Sequence, residues 1–183
     1  SDDHTATMIG EKINDNNNDR KSIDREITQE ALEMVQNGSA LSTDAATIVY
    51  NPTWNKGVVG IVASRLVEAF YKPTIVLTKS NGFITGSARS VAGFDLYEAI
   101  ESCADLLENF GGHVYAAGLT LKEGNLEEFV GRIDKFIAGK ITEEMLTPMT
   151  DIDAKLEFSQ ITPKFFRLLK QFQPFGPGNT NPV

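Results

Sequence analysis

The sequence is most informative at Phe110-Gly111-Gly112-His113-Val114-Tyr115-Ala116-Ala117-Gly118, where five small residues surround one imidazole. Glycine and alanine at this density let bare backbone N–H groups come close to a ligand, because at most a methyl group blocks the approach. An earlier segment, Gly86-Ser87-Ala88-Arg89-Ser90, places one guanidinium among glycine and hydroxyl neighbours. Together the two segments predict a binding site for phosphate.

The two charged groups of these segments also have ordinary alternatives. His113 alone is typical of a loop histidine bonded to a backbone carbonyl, and Arg89 alone of a surface salt bridge. The open backbone on both sides of His113 favours binding. The planar guanidinium of Arg89 matches a phosphate bidentately, with Ser87 and Ser90 as donors on either side.

Two nearby features are open to the same pair of interpretations. Gly57-Val58-Val59-Gly60 is typical of a helix start whose free N–H groups bind an anion, but close packing of helix on sheet explains these glycines equally well. Trp54 is suited to stacking on a base, although a core position is the more ordinary role for tryptophan.

The charge distribution favours a focused anion site rather than a protein that coats nucleic acid. The net charge is −8, and phosphate binders usually carry a basic surface. Between residues 51 and 90, however, five bases stand against the single acid Glu68. From Gln160 onward the chain has three bases and no acid.

A complete active site is not predicted within this chain. A metal-dependent hydrolase needs several carboxylate or histidine ligands that converge on one or two ions, and the chain has two histidines, far apart in sequence. We therefore predict no metal site. Ser87 and Ser90 also lack the strand-to-helix pattern of a nucleophilic serine.

The composition predicts a cytoplasmic protein without a membrane partner. Apolar residues make up 41% of the chain, but no run of about 18 of them occurs, and the N-terminus is acidic and polar. The single cysteine, Cys103, excludes an internal disulfide and is predicted to be a buried hydrophobe rather than a reactive thiol.

The periodicity predicts an α/β fold with a mixed β-sheet flanked by helices, preceded by a long helix from Thr5 to about Gln36. Residues 14–19 have poor helix propensity and are an alternative break in that helix. We expect a helix over Leu96–Leu107, then the glycine segment as a loop, then a strand over Tyr115–Leu121. Residues 149–158 alternate as a half-exposed strand does, and a short helix follows Thr162-Pro163. The predicted domains are a connecting helix (1–38), the α/β domain (39–147) and the start of a further domain (148–183).

With these residues in hand, the chain resembles the C-terminal half of the RecJ family, the single-strand-specific exonucleases of the DHH phosphoesterase superfamily. The resemblance includes the two segments quoted first and the patch at residues 17–21. Its most specific parts are Trp54-Asn55-Lys56-Gly57-Val58-Val59-Gly60-Ile61-Val62-Ala63-Ser64-Arg65-Leu66 and Pro174-Phe175-Gly176-Pro177-Gly178-Asn179.

The resemblance implies a fold, an activity and roles for residues. It makes residues 39–147 a DHH-associated domain and residues 148–183 the truncated start of an OB-like domain. Ser87 and Arg89 would hold the 5′-terminal phosphate of single-stranded DNA, while Gly111, Gly112 and His113 would contact the scissile phosphate, with His113 catalytic. Manganese or magnesium is expected in a DHH domain that this sequence lacks, so the chain alone is expected to be inactive.

The partners implied are single-stranded DNA, the missing DHH domain and a single-strand-binding protein, in DNA repair and recombination. The alternative is a noncatalytic module that binds nucleic acid or oligomerises, as relatives in the C-terminal part of alanyl-tRNA synthetases suggest. The tail motif favours the exonuclease.

Overall fold

The computed structural model describes residues 2–41, 45–176 and 178–183, with side chains from residue 5 onward. Contacts divide the chain into two compact units, Ser1–Thr147 and Pro148–Val183. In chain order, the helices and strands are α1 (Asp2–Gln36), β1 (Thr47–Tyr50), α2 (Val59–Phe70), β2 (Thr74–Ser80), β3 (Phe83–Arg89), α3 (Leu96–Glu101), β4 (Leu107–His113), β5 (Ala116–Leu121), α4 (Leu126–Lys140) and α5 (Pro163–Lys170).

The strands of the described chain form one mixed sheet in the order β1-β2-β3-β5-β4. Strand β1 runs parallel to β2, and the remaining pairs are antiparallel. The turn between β2 and β3 is made by Asn81 and Gly82, which both have positive φ, 53° and 81°. That conformation matches the twist of a two-residue hairpin and explains the choice of Asn-Gly. The α/β fold with a mixed sheet is thus confirmed.

Two apolar layers cover the two faces of the sheet. On one face, α3 and α4 pack against strand residues such as Ile84, Ala88 and Leu119. On the other face, α1 and α2 pack against the β1–β2 side of the sheet around Val49 and Val76. Helix α2 reaches across β2 to β3. On its side of the sheet, the surface of β5 and β4 lies beyond the part that α2 covers.

The glycine segment is a strand, so the predicted loop is wrong. β4 pairs with β5 up to His113, and the turn is confined to Val114 and Tyr115. Glycine has a low preference for strands, but pairing with a neighbouring strand overrides that preference. Phe110 anchors β4 through its ring contact with Tyr97, at 5.9 Å between centroids.

The helix predicted over Leu96–Leu107 is also shorter than expected. Helix α3 ends at Glu101, a single 3₁₀ turn covers Ala104–Leu106, and Leu107 already belongs to β4. The Ser102 hydroxyl donates to the Ala99 carbonyl (2.6 Å), an oxygen that would accept from a backbone N–H if the helix continued. The Cys103 N–H instead donates to the Ile100 carbonyl, one residue short of the α-helical spacing.

Helix α1 is continuous, and the alternative break at residues 14–19 is wrong. Its second half packs on α2, with Ile27 and Ala31 buried, whereas residues 5–22 are exposed. Tertiary contacts in the second half make up for the poor propensity of the asparagine run, because helix extension from a formed segment is easier than nucleation.

The predicted strand over residues 149–158 is wrong: residues 148–157 have no regular secondary structure. An alternating pattern forms a strand only where a partner completes its hydrogen bonds. Within the described residues of this unit, pairing is limited to the bridge between Gly176 and Asn179 and a bond from the Asp153 N–H to the Val183 carbonyl. Helix α5 forms after Thr162 as expected, capped by the Thr162 hydroxyl. Pro177 of the tail motif lies outside the described residues.

Candidate nucleic-acid interface

The face of β3, β5 and β4 that lies on the α2 side of the sheet, which we call the open face because α2 extends no farther than β3, brings the two sequence segments together. Arg89 pairs with Ala116, and Ala116 pairs with His113, so the three residues form one row across adjacent strands. Residues in register on neighbouring strands point to the same face, which puts the guanidinium and the imidazole on one surface about 10 Å apart at the backbone. The next row along the strands consists of Ser87, Gly118 and Gly111.

The glycines of this surface divide into two kinds. A Cβ at Gly112 would lie 2.2 Å from the Ala116 carbonyl oxygen, and Gly112 has φ +154°, so the fold itself requires glycine there. A Cβ at Gly111 would meet nothing within 4 Å, and at Gly118 only the Gly86 carbonyl at 3.8 Å. The fold does not require glycine at these two positions, although glycine in a strand costs about 0.5–1 kcal/mol relative to alanine. Their bare backbone leaves room for a ligand.

His113 is exposed at the end of β4, next to the turn. Its Nδ1 accepts a hydrogen bond from the Tyr115 N–H at 3.4 Å. A neutral imidazole that accepts at Nδ1 carries its proton on Nε2. The Nε2–H group is then the donor available to a ligand on the open face.

A cleft of about 480 Å³ lies between α1, α2 and β3, and we call it the anion pocket. Four cationic side chains line it: Arg20 from α1, Lys56 from the loop before α2, Arg65 from α2 and Arg89 from β3. Ser87 also lines it, and Glu68 contributes one carboxylate. This arrangement gives the pocket an excess of positive charge in a chain whose net charge is negative.

Helix α2 begins against Arg89. A Cβ at Gly60 would lie 3.0 Å from Arg89 Nη2 and 3.3 Å from Ser87 Oγ, so the missing side chain lets both polar groups approach the first turn. Arg89 Nη1 donates to the Ala88 carbonyl at 2.8 Å. Among the residues that the structure describes, no carboxylate forms an ion pair with Arg89, unlike the salt bridge considered from sequence.

Ser90 lies beside this surface, but its polar groups are engaged within the protein. Its hydroxyl donates to the Phe94 carbonyl at 2.8 Å, and its N–H donates to the Tyr115 carbonyl at 3.0 Å. These bonds fix the turn that carries His113. The structure therefore groups Ser87, Arg89, Gly111 and His113 on the open face. Ser90 and Gly112 instead hold the backbone behind this face.

Sequence reasoning missed most of the anion pocket. Lys56 and Arg65 belong to the local excess of bases, but nothing in their spacing puts them beside Arg89. Arg20 comes from α1, where its guanidinium donates to the Gly57 carbonyl at 3.1 Å. The signal that could have revealed the pocket was the glycine-rich start of α2, because the pocket lies against this N-terminal end of the helix.

Two predictions about core residues are confirmed. Trp54 is 4% exposed, and its indole N–H donates to Glu30 Oε2 at 2.7 Å, so it is a core residue. Cys103 is buried, and burial raises the pKa of its thiol.

The described residues include neither a candidate metal site nor a membrane-spanning helix. No group of three histidine, cysteine or acidic side chains comes together in a way that fits a metal ion. The described helices include none that is both long and apolar enough to cross a bilayer.

Comparison with known proteins supplies the family. Residues 43–139 match the DHHA1 domain, and residues 152–183 match the RecJ OB domain. The DHHA1 match covers more than half of the chain. This chain belongs to the DHHA1 domain family.

Within that family, the chain is similar to the C-terminal region of RecJ proteins. The single-stranded-DNA-specific exonuclease RecJ of Bacillus subtilis is 37% identical over 183 residues, which cover 99% of this chain and 23% of that protein. The corresponding protein of Escherichia coli is 30% identical over 178 residues, covering 93% of this chain and 31% of that protein. The crystal structure of Thermus thermophilus RecJ with Mg²⁺ matches 89% of this chain and 24% of its own, with a TM-score of 0.76 and 29% identity. This chain thus spans less than a third of these relatives' length.

Proposed function

We propose that this chain is the substrate-binding part of a RecJ-type exonuclease that degrades single-stranded DNA from its 5′ end. The anion pocket takes the 5′-terminal phosphate, and the open face around Gly111 and His113 takes the scissile phosphate. The chemistry belongs to a metal-bearing DHH lobe outside this chain. The proposal is supported by the family and by the single row of Arg89, Ala116 and His113, in which the two side chains that we assign to the phosphates share one surface.

The anion pocket suits a terminal phosphate in charge and in shape. A phosphate monoester carries about −1.5 to −2 charges at pH 7, more than an internal diester, and offers three strong acceptor oxygens. Arg89 supplies a planar fork for two of these oxygens, and Ser87 adds a hydroxyl. At the first turn of α2, the Ile61 and Val62 N–H groups already donate to the Val58 carbonyl, which leaves the N–H groups of Val59 and Gly60 for a ligand.

His113 acts as a donor to the scissile phosphate in this proposal. Its Nε2–H group stabilises negative charge that develops on a non-bridging oxygen, and the donor is held in place by the bond at Nδ1. Magnesium or manganese, each bound in a crystal structure of Thermus thermophilus RecJ, would supply the attacking hydroxide when bound in the DHH lobe. The described residues of this chain do not fit a metal ion, so we assign none of them as a ligand.

Binding of 5′-phosphorylated and 5′-hydroxyl single strands tests the phosphate pocket. We expect Arg89→Ala to lose about 1–3 kcal/mol of preference for the phosphorylated strand, because it removes charge-assisted hydrogen bonds. Fluorescence anisotropy with labelled oligonucleotides measures the ratio of the two dissociation constants. Arg25→Ala, which removes an exposed arginine outside the pocket, is the matched control and should keep the wild-type ratio.

Equal affinity of the wild-type chain for both strands would contradict the proposed pocket. If that result came with self-association or with binding to any nucleic acid, it would favour the noncatalytic module instead.

The role of His113 is tested in the complete protein that carries the metal lobe. We expect His113→Ala to lower the single-turnover rate by about 100-fold or more while changing DNA affinity less than about threefold, because the contact strengthens in the transition state. His113→Gln, which keeps an N–H donor, should recover part of the rate. A loss of affinity as large as the loss of rate would argue that His113 only binds.

A further inference from the structure

We propose that Asp24 is a positioning residue: from α1 it orients the Arg65 guanidinium at the anion pocket and thereby sets the preference for a terminal phosphate. This inference rests on the proposed function. It concerns a residue that touches no ligand itself and acts through Arg65.

The contact between Asp24 and Arg65 is short and largely buried. Arg65 Nη2 lies 2.6 Å from Asp24 Oδ2, and the Asp24 side chain is 6% exposed. The other carboxylate oxygen accepts from the Thr28 hydroxyl at 3.4 Å. The Arg65 side chain is 41% exposed and lines the pocket. Arg65 is therefore bound to α1 through Nη2, while its side chain also lines the anion pocket.

The fold gives little reason for this pair. Burying a carboxylate costs free energy that its partner barely offsets, and apolar residues often replace such pairs without loss of stability. Asp24 lies beside an apolar layer that includes Ile27 and Leu66, where an apolar side chain would pack as well. A buried carboxylate that contacts a pocket cation has its clearest explanation in the geometry and charge of the pocket.

The orientation of Arg65 gives the selectivity. A terminal phosphate offers three free oxygens, whereas an internal diester offers two, so a guanidinium fork held in one orientation fits the terminal group best. The charge of the pocket supplies affinity: four cations line it, and the carboxylates of Glu68 and Asp24 reduce their charge to an excess of two. Without the Asp24 carboxylate, Arg65 loses its fixed orientation and, with it, this preference.

The test compares Asp24→Asn with the wild-type chain on 5′-phosphorylated and 5′-hydroxyl strands. We expect the preference for the phosphorylated strand to fall about tenfold, the scale of one charge-assisted hydrogen bond, while affinity for the hydroxyl strand stays the same or rises. General damage to the fold would instead lower the affinity for both strands. The two affinities therefore distinguish a loss of Arg65 orientation from a loss of folding. Asp15→Asn makes the same change of charge on an exposed part of α1 and should leave the preference unchanged.

A double-mutant cycle tests whether Asp24 acts through Arg65. In an Arg65→Gln background, Asp24→Asn should have no further effect on the preference. An unchanged preference in Asp24→Asn, or a full effect in the Arg65→Gln background, would overturn the inference. If Asp24→Asn does not fold, Arg65→Lys is tested instead. This variant keeps the positive charge but loses the planar fork, and we expect the same fall in preference for the phosphorylated strand. A wild-type preference in Arg65→Lys would then overturn it.

A spectroscopic readout separates this inference from the proposed function. If the wild-type chain shows no preference for the 5′-phosphate, the proposed function fails. The orientation of Arg65 is then measured by the ¹⁵N side-chain resonances of the arginines, with Arg65 assigned by its loss in Arg65→Gln. We expect Asp24→Asn to shift and sharpen the Arg65 signals as the guanidinium becomes free to rotate. Signals that stay in place would show that Asp24 does not orient Arg65.

Discussion

At the scale of residues, the interface depends on where side chains are missing. Gly60 lets Arg89 and Ser87 approach α2, and Gly111 and Gly118 leave the open face bare. Gly112, in contrast, is required by its backbone conformation and by the neighbouring strand. From the sequence alone, these glycines look alike. Only the atoms that a Cβ would meet at each position distinguish the glycine that the fold requires from those that leave room for a ligand.

Substitution of the two adjacent glycines by alanine should have opposite effects on stability. Gly112→Ala is expected to lower the free energy of unfolding by about 2–4 kcal/mol, because its Cβ would overlap β5 and its φ is unfavourable for alanine. Gly111→Ala should be neutral or stabilising by up to about 1 kcal/mol, since its Cβ meets open space. Urea unfolding of both variants measures the difference, and equal stabilities would contradict the strand register at His113.

The buried thiol of Cys103 predicts a pH dependence of stability. Burial raises the pKa of Cys103, so the folded protein keeps the proton to a higher pH than the unfolded chain does. Above the ordinary thiol pKa of about 8.5, the unfolded state loses its proton first. The free energy of unfolding should then fall by at most about 1.4 kcal/mol per pH unit until the folded-state pKa is reached. Urea unfolding between pH 7 and 10 should show a steeper fall for wild type than for Cys103→Ala, and identical slopes would contradict a buried thiol.

At the scale of elements, α1 is both a structural layer and one wall of the anion pocket. Its residues Arg20, Asp24 and Glu30 each bond to a group on or just before α2. The contacts of Arg20 and Glu30 hold α1 against the segment before α2, whereas the contact of Asp24 reaches Arg65 at the anion pocket. The sequence indicated the long helix but not which of its polar residues face the domain, because a thin apolar stripe marks the buried side without showing which polar groups beside it meet α2.

The bond between α1 and Trp54 should contribute measurably to stability. Glu30→Ala leaves the indole N–H of a buried tryptophan without its acceptor, and we expect a loss of about 1–2 kcal/mol in the free energy of unfolding. Glu26→Ala, an exposed acid one turn earlier on α1, is the control and should change stability by less than about 0.5 kcal/mol. Chemical denaturation measures both, and a Glu30→Ala variant as stable as the control would argue against this contact.

At the scale of the whole molecule, the buried core and the exposed tail differ sharply. Every described hydrophobic residue that is buried lies between Ile27 and Ile137. The unit from Pro148 onward buries none of its described residues and exposes large apolar ones such as Phe158 (94%) and Phe172 (61%). The stability of the molecule therefore resides in the unit that contains the sheet.

Removal of the second unit should leave the first folded. A chain that ends at Thr147 keeps all of the described core, and we expect its free energy of unfolding to change by less than about 1 kcal/mol. It should also bind less of a hydrophobic dye such as ANS, because the exposed aromatic residues of the tail are gone. Loss of cooperative unfolding in the shortened chain would contradict the division at this point.

Sequence alone determined the class of fold, the long first helix, the Asn81-Gly82 hairpin and the burial of Trp54 and Cys103. These features follow from local periodicity, turn chemistry and side-chain hydrophobicity, which act over a few residues. Sequence also indicated Ser87, Arg89, Gly111 and His113 as residues of interest, since their neighbours are unusually small.

Tertiary structure decided that the glycine segment is a strand, that residues 148–157 form none, and that the anion pocket draws on α1, α2 and β3. Whether a segment forms a strand depends on a partner for its backbone hydrogen bonds, and that partner lies elsewhere in the chain. The position of Asp24 behind Arg65 has the same origin: 41 residues separate them, and only the packing of α1 on α2 brings the carboxylate to the guanidinium.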